Sequence, residues 1–143
     1  MKRLLILIIF ATASFAFDNS GSIKTEILEK VITGISIKQT LNVWSDNDNI
    51  LAQLKEHNRL NTAQNCKDAS IVILEDKKNL AKECVSKHIF VLNYQLLSDV
   101  PQSFGALFWK KGRPNIVILK PRINAQAIKV SNALKPYLED KVW

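Results

Sequence analysis

The sequence predicts a three-layer α/β domain, with helices on both faces of a mostly parallel sheet and an antiparallel hairpin near the C-terminal end. Residues 71–74 and 89–92 are apolar without alternation, which is typical of strands covered on both faces. Residues 22–33 carry apolar side chains at helical spacing. Two more apolar runs, at 104–109 and 115–119, flank a short Gly-containing connection, as the strands of a hairpin do.

Residues 1–16 have the features of a secretory signal peptide. Lys2 and Arg3 form a basic start, an unbroken apolar run follows, and Ala16 provides a small-residue exit. The apolar run is far shorter than the roughly 20 residues that a membrane-spanning helix needs. We therefore expect a single exported α/β domain, residues 17–143, after cleavage near Ala16. An uncleaved N-terminal anchor is the alternative.

The helix at 22–33 is followed by two short strands. Alternation of apolar and polar residues predicts these strands at 35–38 and 40–44. The polar turn at 45–49 is rich in helix-capping residues and precedes a second helix, whose apolar face includes Ile50 and Leu54.

The centre of the chain contains the two most buried strands. The first is predicted at 69–74 and the second at 89–92, with a short helix at 79–86 between them. Residues 94–97 form at most one turn of helix. Strands that alternate with helices in this way predict parallel pairing.

The last third of the chain contains the predicted hairpin, with its strands joined by residues 110–114. A closing helix is predicted at 123–138, and Pro136 should kink or end it. The whole pattern predicts a small Rossmann-like or flavodoxin-like domain with about four to six strands. Its sheet is mostly parallel, with the antiparallel hairpin at one edge.

The composition is that of a packed globular protein with a basic surface. The formal net charge is +7, and it falls to +5 without Lys2 and Arg3. The lysines are scattered, as on an ordinary solvated surface; attraction to anionic lipid headgroups or to an acidic partner is the alternative. Frequent Lys, Asn and Ile are typical of an AT-rich bacterial genome. Together with the export signal, they predict a periplasmic protein, which has little access to nucleic acid.

The two cysteines, Cys66 and Cys84, are expected to form a disulfide, because paired thiols in a small exported domain usually do. Their spacing is too wide for a redox motif, and His57 and His88 do not complete a metal site with them. The polar segment before residue 69 must fold back to bring the two Cα atoms within about 7 Å.

The sequence contains none of the common catalytic or cofactor-binding motifs. The four glycines are isolated, so a phosphate-binding loop is not indicated, and no nucleophile elbow or zinc-protease motif occurs. His57 and His88 are expected at the surface or at element boundaries. We therefore expect a protein that is not an enzyme and that needs no cofactor or metal.

Four polar residues follow the predicted strands at the edge of the sheet where open α/β folds bind ligands. Asp46 and Asp48 come after the strand at 40–44, and Asn93 and Tyr94 come after the strand at 89–92. These residues are candidates for holding a cation or an amino group. The alternative for the first two is that Asp46 or Asp48 caps the next helix.

The predicted hairpin tip combines cations with an aromatic residue. Trp109, Lys110, Lys111 and Arg113 lie within five positions of one another, and the C-terminal Trp143 is grouped with them as a candidate contact residue. Aromatic and Arg side chains dominate the energetics of protein interfaces, so this set suits contact with an acidic partner or a lipid surface. The alternative is a solvated turn with Trp109 packed into the core.

Several short motifs of the second half resemble the YfiR family of small periplasmic α/β proteins. The resemblance covers roughly residues 41–138 in element order. It rests on Cys66 before the strand at 71–74, Val91-Leu92-Asn93, Gly105-Ala106, Ile116-Val117-Ile118, and Ala127-Ile128-Lys129-Val130-Ser131 with Leu134. The chain departs from the family where Gly105-Ala106 replaces a glycine pair, and where Ile116 and Leu119 replace an aromatic residue and an Asn.

The resemblance implies a regulator without enzymatic activity, which binds the outer domain of an inner-membrane diguanylate cyclase and is released according to disulfide state and envelope stress. We therefore expect an exported regulatory protein that acts by protein–protein contact in the envelope. A small periplasmic solute-binding or sensor domain is the alternative, and an enzyme with an unrecognised site is a third hypothesis.

Overall fold

The computed structural model describes residues 19–143, so the predicted signal peptide and its cleavage point lie outside the described residues. The helices are α1 (Asn19–Thr33), α2 (Asp48–His57), α3 (Leu96–Asp99) and α4 (Lys120–Ala125). The strands are β1 (Ile35–Ser36), β2 (Val43–Ser45), β3 (Ile71–Leu74), β4 (His88–Val91), β5 (Ser103–Lys110), β6 (Arg113–Leu119), β7 (Lys129–Val130) and β8 (Leu138–Glu139).

The main sheet has the strand order β2-β3-β4-β5-β6-β8, and β1 pairs with β7 in a separate two-stranded sheet. Strands β2 to β5 are parallel neighbours, β5 and β6 form an antiparallel hairpin, and β8 runs parallel to β6. The predicted fold class, an α/β domain with a mostly parallel sheet and a C-terminal hairpin, is confirmed. The predicted position of the hairpin at the edge of the sheet is wrong, because β8 pairs with the outer side of β6 and is itself the edge strand.

Strands β3 and β4 lie in the middle of the sheet and are covered on both faces. On the first face, Ile71 and Ile73 of β3 pack with Phe90 of β4 and with side chains of α1 and α2. On the second face, Val72 and Leu74 pack in a separate cluster with α3. Every residue of β3 is buried, which explains why its sequence does not alternate.

A polar seam joins α1 to α2 on the first face. Thr25 is fully buried and bonded to Gln53. One turn further along, the carboxylate of Glu29, which is 3% exposed, contacts Nδ1 of His57 and accepts a hydrogen bond of 3.2 Å from Nη1 of Arg59. A buried carboxylate needs such partners, so the seam holds α1 in one register against α2.

Removing both partners of the Glu29 carboxylate tests how much the seam contributes to stability. The double variant His57→Ala/Arg59→Ala leaves this carboxylate buried without the two side chains that contact it, and we expect the free energy of unfolding to fall by about 2 kcal/mol. Adding Glu29→Met to this variant should restore most of the loss, because the buried charge is removed with its partners. Urea unfolding of the three proteins measures both effects, and equal stability of the double and triple variants would contradict the role given to Glu29.

The predicted disulfide between Cys66 and Cys84 is confirmed, with the two Cα atoms 6.0 Å apart. Both residues are buried in the second cluster. The segment before β3 makes an isolated parallel bridge between Thr62 and Val43 of β2. Disulfides form and persist in oxidising compartments, so the bridge is consistent with an exported protein.

The predicted helix at 79–86 is wrong. The chain instead forms two short 3-10 turns, Lys77–Asn79 and Lys82–Cys84, with extended backbone at Leu80 and Ala81 between them. The Asp76 carboxylate accepts a hydrogen bond from the backbone N–H of Lys78 and starts the first turn. A continuous helix cannot pass through the extended residues.

The predicted closing helix at 123–138 is also wrong. Helix α4 ends at Ala125, and Ala127 adopts a left-handed backbone with a φ of 55°. The chain then forms β7, because Val130 and Lys129 pair with Ile35 and Ser36 of β1. A 3-10 turn, Asn132–Tyr137, contains Pro136 and leads into β8.

Candidate functional site

The β5–β6 hairpin ends in a two-residue turn rather than the five-residue connection that the sequence suggested. Lys110 pairs with Arg113, and the turn residues Lys111 and Gly112 have φ values of 51° and 73°. Positive φ at both positions defines the turn type that best matches the twist of a hairpin. Lys110, Lys111 and Arg113 are all exposed, and none of them forms an ion pair with a carboxylate of residues 19–143.

Trp109 lies at the surface beside this tip and is 38% exposed. The Nζ atom of Lys24, on α1, lies 5.5 Å from the centroid of its ring, at cation–π distance. The residue is therefore neither a core side chain nor fully solvated.

An aromatic groove lies on the second face of the sheet next to the tip. The rings of Tyr94 and Phe108 meet edge to face, with centroids 5.0 Å apart. The C-terminal segment crosses here: the backbone N–H of Trp143 donates to Oη of Tyr94 at 2.8 Å, and the Trp143 side chain is 80% exposed. Nζ of Lys141 lies 4.2 Å from the Trp143 ring centroid. The groove has a volume of about 580 Å³ and is lined by Tyr94, Phe108, Trp109, Lys110, Asn115, Val117, Glu139 and Trp143.

A second groove lies on the first face, between α1, β6 and the 3-10 turn before β8. It has a volume of about 750 Å³ and is lined mainly by apolar side chains. Ile27 and Val31 come from α1, Ile116 from β6, and Leu134 and Tyr137 from the 3-10 turn. The sequence did not predict this groove, because Leu134 and Tyr137 were assigned to one continuous amphipathic helix.

Asp46 holds two loops together at the carboxyl edge of the sheet. Its carboxylate accepts hydrogen bonds from the backbone N–H groups of Glu75 at 2.7 Å and Asp76 at 3.0 Å, and from Nδ2 of Asn79 at 2.9 Å. Asp48 is the exposed first residue of α2.

The cap of α2 is neither Asp46 nor Asp48, so the alternative considered for these residues is wrong. Asn47 is the N-cap, and its Oδ1 accepts a hydrogen bond of 3.0 Å from the N–H of Ile50. Ser, Asn and Asp are similarly favoured at an N-cap. Which of the adjacent polar residues takes this role therefore depends on the residue at which the helix begins.

The other two candidates at this edge, Asn93 and Tyr94, have different surroundings. Oδ1 of Asn93 accepts a hydrogen bond of 2.8 Å from the N–H of Gln95, while Tyr94 lines the aromatic groove. The structure thus brings Tyr94 together with Trp109 and Lys110, two residues predicted for the hairpin tip.

A polar cavity of about 730 Å³ lies at the opposite, amino edge of the parallel strands. His88 lines it, and Nδ1 of this residue lies 3.0 Å from Oε1 of Gln126. Ser70 also lines it, and its Oγ accepts a hydrogen bond from the N–H of Asn42 at 2.9 Å and donates to the carbonyl of Thr40 at 2.8 Å. These hydrogen bonds join the loops at the amino edge of the sheet.

Arg122 secures the start of β5. Its Nη1 donates to the carbonyl oxygens of Leu97 at 2.7 Å and Ser103 at 3.0 Å, and burial lowers the pKa of its guanidinium.

Within residues 19–143, no group of three or more His, Cys, Asp or Glu side chains could hold a metal ion. No helix in the same range has the length and apolar character required to cross a membrane.

No protein-family model matches the chain, and no curated protein matches it.

Proposed function

We propose that this protein is an exported, periplasmic regulator that acts by protein–protein contact, and that its contact surface is the hairpin tip with the aromatic groove beside it. The observation that carries the proposal is the concentration of exposed aromatic rings and unpaired cations there. We name this surface, formed by Tyr94, Trp109, Lys110, Lys111, Arg113 and Trp143, the hairpin surface.

The composition of the hairpin surface supports a binding role rather than catalysis. Interface cores are enriched in aromatic residues and Arg, and Trp109 and Trp143 are among the few large apolar side chains exposed in the described chain. Burying them against a partner would remove apolar area from water, while the cations at the tip would select a partner of opposite charge.

The partner class follows from charge and from the resemblance to the YfiR family. Three exposed cations in one turn favour an acidic surface, and that family resemblance points to the outer domain of an inner-membrane signalling protein such as a diguanylate cyclase. Rim charges of this kind mainly accelerate association and make it sensitive to salt.

Charge reversal tests the proposal. In the triple variant Lys110→Glu/Lys111→Glu/Arg113→Glu, we expect affinity for the outer domain of the cognate cyclase to fall at least about a hundredfold, because like charges would face each other. The melting temperature should fall by no more than a few degrees, since an exposed substitution usually alters stability by less than about 0.5 kcal/mol.

A matched variant keeps the same change of net charge away from the hairpin. Lys55→Glu/Lys77→Glu/Lys82→Glu places three reversals on exposed positions of α2 and the 3-10 turns. It should bind the cyclase domain nearly as the natural protein does. Unchanged affinity in the hairpin variant would refute the proposal, and binding to anionic but not neutral vesicles in place of the domain would assign the surface to lipid.

A further inference from the structure

The outer edge of β6 is only partly covered. Strand β8 pairs with Ile118 and Leu119 alone, and the 3-10 turn Asn132–Tyr137 before it borders β6 only across the groove on the first face. The five residues Arg113–Val117 therefore have β5 on one side and no paired strand of residues 19–143 on the other. Ile116 and Val117 are half-buried there, and Pro114 is exposed. An open stretch of this length, about 17 Å, can take a short added strand.

The turn of the hairpin determines which backbone groups face outward. The residues that flank a two-residue turn, Lys110 and Arg113, form a hydrogen-bonded pair, and the direction of the backbone groups alternates along the strand. The N–H and carbonyl of Ile116 and the carbonyl of Pro114 therefore point away from β5. The nitrogen of Pro114 is on the same outer side of the strand and carries no N–H, so no donor is left unpaired there. Edge strands tolerate proline at such positions.

Grooves lie on both sides of this open edge. Ile116 borders the 750 Å³ groove on the first face, and Val117 borders the 580 Å³ aromatic groove on the second. Successive side chains of a strand point to opposite faces, so an added strand would send alternate residues into the two grooves.

We propose that β6 is completed by a β-strand from the partner, an extended acidic segment with apolar residues at alternate positions. The inference rests on the proposed function and specifies how the hairpin surface binds. Main-chain bonds to Ile116 and Pro114 supply the alignment, and the cations of the tip pair with acidic residues at one end of the segment.

Charge and shape disfavour a second copy of this chain as the occupant. A copy would bring its own Lys110, Lys111 and Arg113 to a surface that already carries them. Antiparallel pairing over all five open residues would also drive the turn of one copy into the β8 strand of the other, because β8 occupies the next two positions of the edge.

Amide hydrogen exchange distinguishes strand addition to β6 from binding that makes no main-chain hydrogen bonds to this strand. The probe is a short synthetic peptide in which two glutamates precede alternating valines and threonines. At saturation it should slow exchange of the Ile116 amide at least about tenfold, while the Val117 amide, which faces β5, is protected with and without peptide. A peptide with lysines in place of glutamates should bind the natural protein at least about tenfold more weakly and should prefer the triple variant Lys110→Glu/Lys111→Glu/Arg113→Glu.

Other results would overturn the inference. An Ile116 amide that stays unprotected at saturating peptide rules out strand addition, as does protection by a peptide N-methylated along both edges. Protection that needs only higher protein concentration, with a dimer mass, assigns the edge to a second copy. If the triple reversal weakens binding of the cyclase domain while the Ile116 amide still exchanges freely in that complex, the hairpin surface stands and strand addition is wrong.

Discussion

Replacing Cys66 and Cys84 together by alanine is expected to lower the free energy of unfolding by about 3 kcal/mol. The bridge spans 18 positions and ties the segment before β3 to the 3-10 turn before β4. Without it the unfolded chain regains the freedom that the closed loop removes, and the folded chain gains nothing in return. Chemical unfolding in urea, with the oxidised natural protein as reference, measures the difference.

Reduction of the natural protein is the control for this prediction. It breaks the bond but keeps both sulfur atoms in the buried second cluster, so it separates loop closure from lost packing. We expect reduction to reproduce most of the loss. Identical unfolding midpoints for the oxidised protein, the reduced protein and the double variant would mean that the bridge contributes nothing to stability.

The variant Gly105→Ala should destabilise the protein by about 3 kcal/mol, near the upper end for an overpacked site. An added Cβ would lie 2.6 Å from the carbonyl oxygen of Val117 and 2.9 Å from a ring atom of Phe90. The first is a backbone atom of β6, so the strand itself would have to move. The cost should appear as a lower melting temperature and as faster amide exchange in β6.

Gly112→Ala is the matched comparison. A Cβ at this position meets nothing within 4 Å, but the φ of +73° is one that alanine adopts reluctantly. We expect a loss of about 1 kcal/mol from backbone strain alone. If Gly105→Ala cost no more than Gly112→Ala, close packing between β5 and β6 would not be the reason for glycine at position 105.

The strands of the sheet interior could be predicted because their burial is visible in their own residues. Ile71–Leu74 lacks polar residues since both of its faces are covered, and no distant partner is needed to see this. The hairpin could be predicted for a similar reason, since its two strands and their turn are adjacent in sequence. The disulfide was predicted from the presence of two cysteines and from the expected export to an oxidising compartment.

The segments predicted wrongly depend on partners far away in sequence. Residues 129–130 have helical neighbours and helical spacing, yet they pair with β1, more than 90 positions earlier. The backbone N–H and C=O groups of Ile35–Ser36 need hydrogen-bond partners, which β7 provides. A further hydrogen bond of 2.7 Å, from the N–H of Ser131 to the carbonyl of Gly34, completes the contact. The periodicity of a short sequence segment contains no information on a strand partner that lies so far away in the chain.

The candidate site shows the same division. The cations and Trp109 at the tip lie within five positions of one another and were predicted as one contact set, with Trp143 as a further member. The aromatic groove also needs Tyr94 and Trp143, which lie 49 positions apart and meet only because the C-terminal segment crosses the second face. The groove on the first face required knowledge that the 3-10 turn before β8, rather than a helix, lies beside β6.

The positions of the tryptophans give the unlabelled protein a built-in optical reporter. Of the three indoles, Trp44 is half-buried in the second cluster, whereas Trp109 and Trp143 are exposed at the hairpin surface. Two of the three fluorophores therefore sit where a bound partner would displace water, and each has an ammonium group beside its ring. Intrinsic emission can thus follow complex formation in real time without an added label.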